Sequence, residues 1–354
     1  MKILTVLGAR PQFIKAAAFS RAVANCQDIE EVIIHTGQHY DQNMSDIFFD
    51  EMGIPIPRYN LQTGGKTHGA MTGQQLEEIE DILLDEKPDL VLVYGDTNST
   101  LAGALAAVKL HIPIAHVEAG LRSFNKKMPE EVNRILTDQI SDYLFVPSLG
   151  AKNNLLNEGV DESKIFIVGD IMYDVSLYYK EKMIKPDWFE LLDLNNFILC
   201  TIHRAENTDD KYKLSNIFKG LGLSAKDIIL PLHPRTVNKI KEHEIIVPNN
   251  IKIVDPVGYL EMVWLEVHSD LIVTDSGGVQ KEAYFHGKYC VTLREETEWI
   301  ELVNYGFNKL VGYDPELIVD AIVSSNSQMM ESLGIYGDGR AANKILDRVR
   351  TNES

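Results

Sequence analysis

Between His116 and Arg134 the chain reads His-Val-Glu-Ala-Gly-Leu-Arg-Ser-Phe-Asn-Lys-Lys-Met-Pro-Glu-Glu-Val-Asn-Arg, which gathers three carboxylates and two arginines. An apolar run, Ile112 to Val117, ends at Glu118 and Gly120, as a buried strand ends at a loop. Pro129 then opens a helix, with Glu130 and Glu131 in its first turn and Arg134 about one turn later. In that position Glu130 and Glu131 would complement the positive end of the helix dipole, worth roughly 0.3–1 kcal/mol each. The dipole does not account for Glu118 on the preceding strand, or for Asp96 at the end of the run Leu90–Tyr94. Open α/β sheets place their ligands at the carboxyl ends of strands. The convergence of Asp96, Glu118, Glu130 and Glu131 there, with Arg122 and Arg134, reads as a functional site rather than as dipole partners alone.

A second constellation lies in Leu271-Ile-Val-Thr-Asp-Ser-Gly-Gly-Val-Gln-Lys-Glu-Ala283, a strand, a small-residue turn and a helix start. Ser276, Gly277 and Gly278 leave backbone N–H groups at a helix N-terminus, where phosphate binds. Glu282, one turn on, is placed to accept from ribose hydroxyls. His203 and His233 each follow an apolar strand and lie one or two residues from Arg204 and Arg235. With Arg10 and Lys15 of the first domain they form a clamp suited to a diphosphate. Their spacing is not that of metal ligands. No Gly-x-Gly-x-x-Gly opens either domain and there is no Walker loop, so neither a dinucleotide cofactor nor a metal is expected.

The elements that position these residues alternate. Strand-like runs Lys2–Leu7, 32–36, Leu90–Tyr94, 112–117, Tyr143–Val146 and 165–168 are interleaved with helical patterns, which indicates βαβ units and a parallel sheet. The alternation restarts with runs 197–202, 228–232, Ile251–Val254 and 271–274. The stretch 173–194 is mixed and charged and reads as a linker. The fold expected is α/β, two doubly wound Rossmann-like domains facing a cleft. An N-terminal domain over 1–172 would carry the carboxylates, and one over 173–339 would bind the ligand.

With 354 residues the chain is long enough for both domains. The net charge of −18 argues against a nucleic-acid or anionic-membrane surface. No apolar run approaches the roughly 20 residues of a membrane span. Cys26, Cys200 and Cys290 have no ligand spacing and read as reduced core thiols of a cytoplasmic protein.

Taken in order, the motifs resemble those of the non-hydrolysing UDP-N-acetylglucosamine 2-epimerase family. They are Gly8-Ala-Arg-Pro-Gln12 with Lys15, Thr36-Gly-Gln-His39, Gly95-Asp-Thr97, His116-Val-Glu-Ala-Gly-Leu-Arg122, Pro129-Glu-Glu131 with Asn133-Arg134, His203-Arg204, His233-Pro-Arg235, and Asp275-Ser-Gly-Gly278 with Glu282. The resemblance covers nearly the whole chain. It implies a fold like that of GT-B glycosyltransferases, a C-terminal helix over about 340–354 crossing back to the first domain, and a UDP-sugar substrate. It also implies Asp96, Glu118, Glu130 and Glu131 as acid/base groups, His203 near the leaving diphosphate, Gln38 and His39 among the binding residues, and a homodimer serving surface polysaccharide synthesis.

The chemistry suits the residues. The proton on carbon 2 of a 2-acetamido sugar is not next to a carbonyl, so enolisation cannot loosen it. Expulsion of the anomeric UDP gives a glycal, and re-addition completes an inversion without NAD. Carboxylates packed together raise one another's pKa, so one cluster can hold both an acid and a base. Which of Asp96, Glu118, Glu130 and Glu131 plays which part stays open, with Glu118 or Glu131 preferred as base and Asp96 as partner. The chain departs from commoner members at Arg204-Ala205 and Thr297-Glu-Trp-Ile300. These stretches also look like the branch acting on UDP-2,3-diacetamido-2,3-dideoxyglucuronate. There Trp299 would meet a second acetamido methyl, and Lys126, Lys127 or Arg122 a carboxylate at carbon 6. A glycosyltransferase, a nucleotide-sugar sensor and a hydrolysing epimerase are the rival classes.

Overall fold

The computed structural model describes residues 1–38, 49, 53–325 and 333–351. They form two compact units, Met1–Val175 with Gly334–Ser354, and Ser176–Leu333. The first is built on a parallel sheet of β1 (Lys2–Leu7), β2 (Glu30–His35), β3 (Tyr59–Asn60), β4 (Leu90–Tyr94), β5 (Ile114–Val117), β6 (Tyr143–Val146) and β7 (Ile165–Ile167). Their spatial order is β3-β2-β1-β4-β5-β6-β7. The second has β8 (Ile198–Thr201), β9 (Ile228–Pro231), β10 (Ile251–Val254), β11 (Ile272–Thr274), β12 (Cys290–Thr292) and β13 (Asn308–Leu310), in the order β10-β9-β8-β11-β12-β13. Both sheets are doubly wound and Rossmann-like. In each, the strand order reverses at one point, between β1 and β4 and between β8 and β11, and that is where such sheets bind ligands.

The strands are continuous apolar runs because helices cover both faces. Ile3, Leu4, Val6, Val91, Leu92 and Val93 are wholly buried. Gly8 closes β1 because nothing larger fits: a Cβ there would lie 2.0 Å from Ser99 Oγ and 2.7 Å from Thr36 Oγ1. The ends of β1, β2 and the Asn98–Lys109 helix can therefore meet.

The stretch 173–194, expected as a linker into the second domain, holds the division between the units at Val175 and Ser176, and it is structured. The Ile171–Lys180 helix and a 3-10 turn, Asp187–Leu192, occupy most of it and bury Val175, Tyr179 and Phe189. Cys26 is not a core thiol. It is only half-buried, beside the Arg350 guanidinium, whereas Cys200 and Cys290 are buried in the second unit. The Ala341–Arg350 helix returns to the first unit, where its first-turn N–H groups of Ala341 and Ala342 donate to Asp174 at 2.9 and 2.8 Å. Among the described residues no helix is long and apolar enough to cross a membrane.

Candidate active site

In the first unit the loops after β1, β4 and β5 are laced together. Gln12 is buried in the first turn of the Arg10–Val23 helix, and its Oε1 accepts from the Gly8 and Ala9 N–H groups at 2.7 and 3.2 Å. Its Nε2 donates to the Tyr94 carbonyl at 2.7 Å, which fixes the end of β4 against the end of β1. Gln38 works in the same way, its Oε1 accepting from Ser99 N–H and Oγ at 3.0 and 2.8 Å. That oxygen is committed to the scaffold. His39 lies outside the described residues.

Glu118 follows β5 in the left-handed region, with φ of 67°. A residue with a side chain is costly there, by about 1–3 kcal/mol, and such positions cluster at functional sites. Gly95 and Gly120 on either side also have positive φ, 63° and 78°. The Glu118 carboxylate pairs with Lys15 Nζ and is largely buried. A Cβ placed on Gly95 would lie 3.5 Å from Glu118 Oε2, so this carboxylate sits directly beside the Gly95–Asp96 turn.

Asp96 Oδ2 accepts from Arg134 Nη2 and Nε at 2.6 and 2.9 Å, while its backbone carbonyl accepts from Asn133 Nδ2 at 2.9 Å. Its Oδ1 has no hydrogen-bond partner among the described residues, and the side chain is 30 % exposed.

The structure brings Lys15, Asp96, Glu118, Glu131 and Arg134 together, but as alternating charges. Glu131 is 1 % exposed, and its oxygens accept from Ser123 N–H at 2.9 Å, Phe124 N–H at 2.8 Å and Arg134 Nη1 at 2.9 Å. Burial pushes its carboxyl up, but those two N–H groups and Arg134 outweigh it and hold the acid below its ordinary range. The expectation that packed carboxylates would raise one another is thus corrected for Glu131. It is a stably ionised anchor for the 123–124 turn. Glu130 stays on the exposed outer face of the Pro129–Ile140 helix, apart from the cluster, as a dipole partner would.

Arg122 is corrected as well. Its Nε and Nη2 donate to Glu158 at 2.7 Å each, and Nη1 donates to the Leu121 carbonyl and pairs with Asp138 Oδ2, both at 2.7 Å. The guanidinium is buried and spent on the scaffold. Asp138, which motif reading passed over, is the centre of that scaffold. It also holds His116 Nδ1 at 2.7 Å and the Gly120 N–H at 3.1 Å, while His116 Nε2 meets the Gly95 carbonyl at 2.7 Å. One buried carboxylate so ties the turn bearing Glu118 to the turn bearing Asp96.

In the second unit the organiser is Asp275, wholly buried after β11. It accepts from the N–H groups of His203 at 3.1 Å and Arg204 at 3.0 Å, and from Asn207 Nδ2 at 3.1 Å. His203 is left with its side chain 58 % exposed, Nδ1 3.2 Å from Asp275 Oδ1. Ser276 caps the Gly277–Phe285 helix through Val279 N–H, and Glu282 lies half-buried one turn on. His233 caps the Pro234–Glu242 helix, and exposed Arg235 pairs with Asp209 at 3.0 Å. Asp275 was visible in sequence only as part of a motif; its role needs the buried end of β11, which spacing does not reveal.

The arrangement offers Asp96, Glu118 and an ionised Glu131 at one switch point, and a phosphate-type turn with an exposed histidine at the other. Comparison with known proteins agrees with that chemistry. The family model for UDP-N-acetylglucosamine 2-epimerase matches residues 21–350. The chain is 54 % identical over 353 residues to the UDP-2,3-diacetamido-2,3-dideoxy-D-glucuronate 2-epimerase of Pseudomonas aeruginosa, covering 98 % of this chain and 99 % of that one. It is similar to the crystal structure of Methanocaldococcus jannaschii UDP-GlcNAc 2-epimerase in complex with UDP-GlcNAc and UDP, with a TM-score of 0.85, 45 % identity, and coverage of 99 % and 100 %. At the level of fold alone it also matches a lipopolysaccharide outer core galactosyltransferase, with a TM-score of 0.58, 13 % identity, and coverage of 99 % and 100 %. A family match over most of the chain, and relatives covered end to end, make this chain a member of the UDP-N-acetylglucosamine 2-epimerase family.

Proposed function

We propose that this chain is an isomerase that inverts carbon 2 of UDP-N-acetylglucosamine, giving UDP-N-acetylmannosamine. The observation that carries the reading is Glu118, held in a left-handed turn against Lys15 and the Gly95–Asp96 turn in a chain of this family. The Ser276–Gly278 amides and His203 bind the diphosphate and stabilise it as it departs. Glu118 takes the carbon 2 proton and the anomeric C–O bond breaks, leaving UDP and a 2-acetamidoglucal. Asp96, through Oδ1, delivers a solvent-derived proton to carbon 2 from the opposite face, and exchange with water restores both carboxyls. Addition of UDP to the protonated glycal restores the anomeric bond with carbon 2 inverted. Glu131 and Arg134 position Asp96 in this scheme. Oxidation state is conserved throughout, so neither NAD nor a metal is needed.

Incubation with UDP-N-acetylglucosamine in deuterated water tests the route. Deuterium is expected at carbon 2 of the recovered UDP sugar, with traces of free UDP and glycal. Full epimerisation without deuterium would refute a solvent-exchanging acid/base route.

The identity to the P. aeruginosa enzyme brings the diacetamido uronate forward as a second substrate. Two of the groups offered for it are engaged elsewhere: Arg122 is locked by Asp138 and Glu158, and Trp299 is buried. Only Lys126 and Lys127 remain exposed. We therefore expect kcat/KM, the proper measure of discrimination, to favour UDP-N-acetylglucosamine by about tenfold or more. The opposite preference would move the assignment to the uronate. We place the enzyme in the cytoplasm as a homodimer feeding surface polysaccharide synthesis. Three unpaired thiols support the compartment, and exposed Val132 and Leu136 on one helix face support self-association.

A further inference from the structure

Thr297-Glu-Trp-Ile300 gains a role that its sequence does not suggest. Trp299 is 8 % exposed, so its ring is not a free face for a ligand. Its indole Nε1–H donates to the Gly277 carbonyl at 2.8 Å. Lys281, also buried, sets its Nζ 4.3 Å from the ring centroid. Two residues earlier, Thr297 Oγ1 donates at 2.7 Å to Gln280 Oε1, which also accepts from Asn308 Nδ2 at 2.9 Å. The 297–299 stretch is thereby bolted to the first turns of the Gly277–Phe285 helix.

We propose that Trp299 and Lys281 are a positioning pair for the phosphate-binding turn Ser276–Gly278. The inference rests on the reading that this turn holds the diphosphate of a UDP sugar. The Gly277–Gly278 peptide is planar and trans, so its C=O and N–H point in opposite directions. Holding the oxygen with an indole N–H sets the direction of the Gly278 N–H. That group lies in the first turn of the helix and has no intrahelical partner. Two successive glycines place no side-chain restriction on this peptide, so a strut is needed to keep its donor aimed. Lys281 adds charge: helical side chains lean toward the N-terminus, which carries its ammonium back alongside the turn. Stacked on the indole, that cation is desolvated and fixed, where a positive charge acts most strongly on an anion. Donors and charges set in advance need no reorganisation when the diphosphate develops charge.

Calorimetric titration of the full chain with UDP and with uridine tests the pair. Trp299→Phe keeps a ring under Lys281 and removes only the N–H. It should weaken UDP by roughly fivefold to tenfold through the misaimed Gly278 N–H, while uridine affinity stays unchanged and Tm falls only by the worth of one intramolecular hydrogen bond. Lys281→Met keeps the indole N–H, removes the charge, and should show the same selective loss. Equal losses for UDP and uridine, or no loss for either, would overturn the pair. If Trp299→Phe does not fold, Lys281→Met decides alone. A wild-type chain that binds UDP but neither epimerises UDP-N-acetylglucosamine nor puts deuterium at the sugar's carbon 2 would defeat the epimerase reading, and the UDP-to-uridine ratio would still judge the strut. Failure of the wild-type chain to bind UDP would overturn both.

Discussion

Glu118→Gln and Asp96→Asn are each expected to lower kcat by about 10²–10⁴-fold, the usual worth of one general acid or base, while UDP binds nearly as before. The split between turnover and binding follows from placement. Both carboxylates lie at the switch point of the first sheet, whereas the diphosphate turn belongs to the second. Gln at 118 keeps the volume of the side chain and can still meet Lys15 through its carbonyl, so the left-handed turn has no new reason to collapse. Asn at 96 can still accept from Arg134. What each variant loses is the capacity to take and return a proton. Glu131→Gln should also be slow, by loosening the 123–124 turn and the Arg134 contact that orients Asp96. Steady-state turnover, with UDP affinity measured alongside, checks all three. Near-normal rates in both Glu118→Gln and Asp96→Asn would remove the carboxylates from the chemistry.

Much of this geometry was legible because strand ends are legible. Apolar runs that stop at Gly95-Asp96, at Glu118 and at Asp275 announce where side chains can face a ligand, and the doubly wound order brings the first two stops together in one sheet and sets the third at the switch point of the other. What a carboxylate does once there was not legible. Glu130 and Glu131 are chemically identical neighbours. A helix turns by about 100° per residue, so one faces solvent and the other faces buried N–H donors. Arg122 likewise sits in the right motif, yet Glu158, thirty-six residues on, claims it. Gln12, Asp138 and Asp275 act through long-range hydrogen bonds that no local pattern encodes. Short elements escaped for a different reason. The strands Tyr59–Asn60, Cys290–Thr292 and Asn308–Leu310 are too brief for periodicity, and pairing with longer neighbours supports them. The Ile171–Lys180 helix was hidden by its charges, which lie outside the face bearing Val175 and Tyr179.

Raising the pH from about 6.5 to 8 should destabilise the second unit, and Glu266→Gln should abolish most of that effect. Glu266 is buried on the Tyr259–His268 helix, its Oε2 3.5 Å from Nε2 of equally buried His286. Ser176 Oγ is 3.3 Å from the same nitrogen. Burial pushes the Glu266 carboxyl up to about 8. Burial, with Lys180 and Lys288 nearby and Glu282 opposing, pushes His286 down to about 4. The folded chain therefore keeps a proton on Glu266 that the unfolded chain has released above its ordinary value of 4.5, so stability falls as pH rises toward 8. His286 has the opposite sense: below 6.5 the unfolded chain takes a proton that the folded chain refuses until about 4. The two slopes cancel between 4.5 and 6.5, and from 6.5 to 8 only the Glu266 term is left. At roughly 1.4 kcal/mol per pH unit this amounts to about 2 kcal/mol, or roughly 4–8 °C in Tm for a body of this size. Other groups titrate too, so the measured quantity is the difference between the Tm-versus-pH curves of wild type and Glu266→Gln. The curves should diverge above pH 6.5, with the variant the less sensitive. Parallel curves across that window would mean that Glu266 is already ionised in the folded protein.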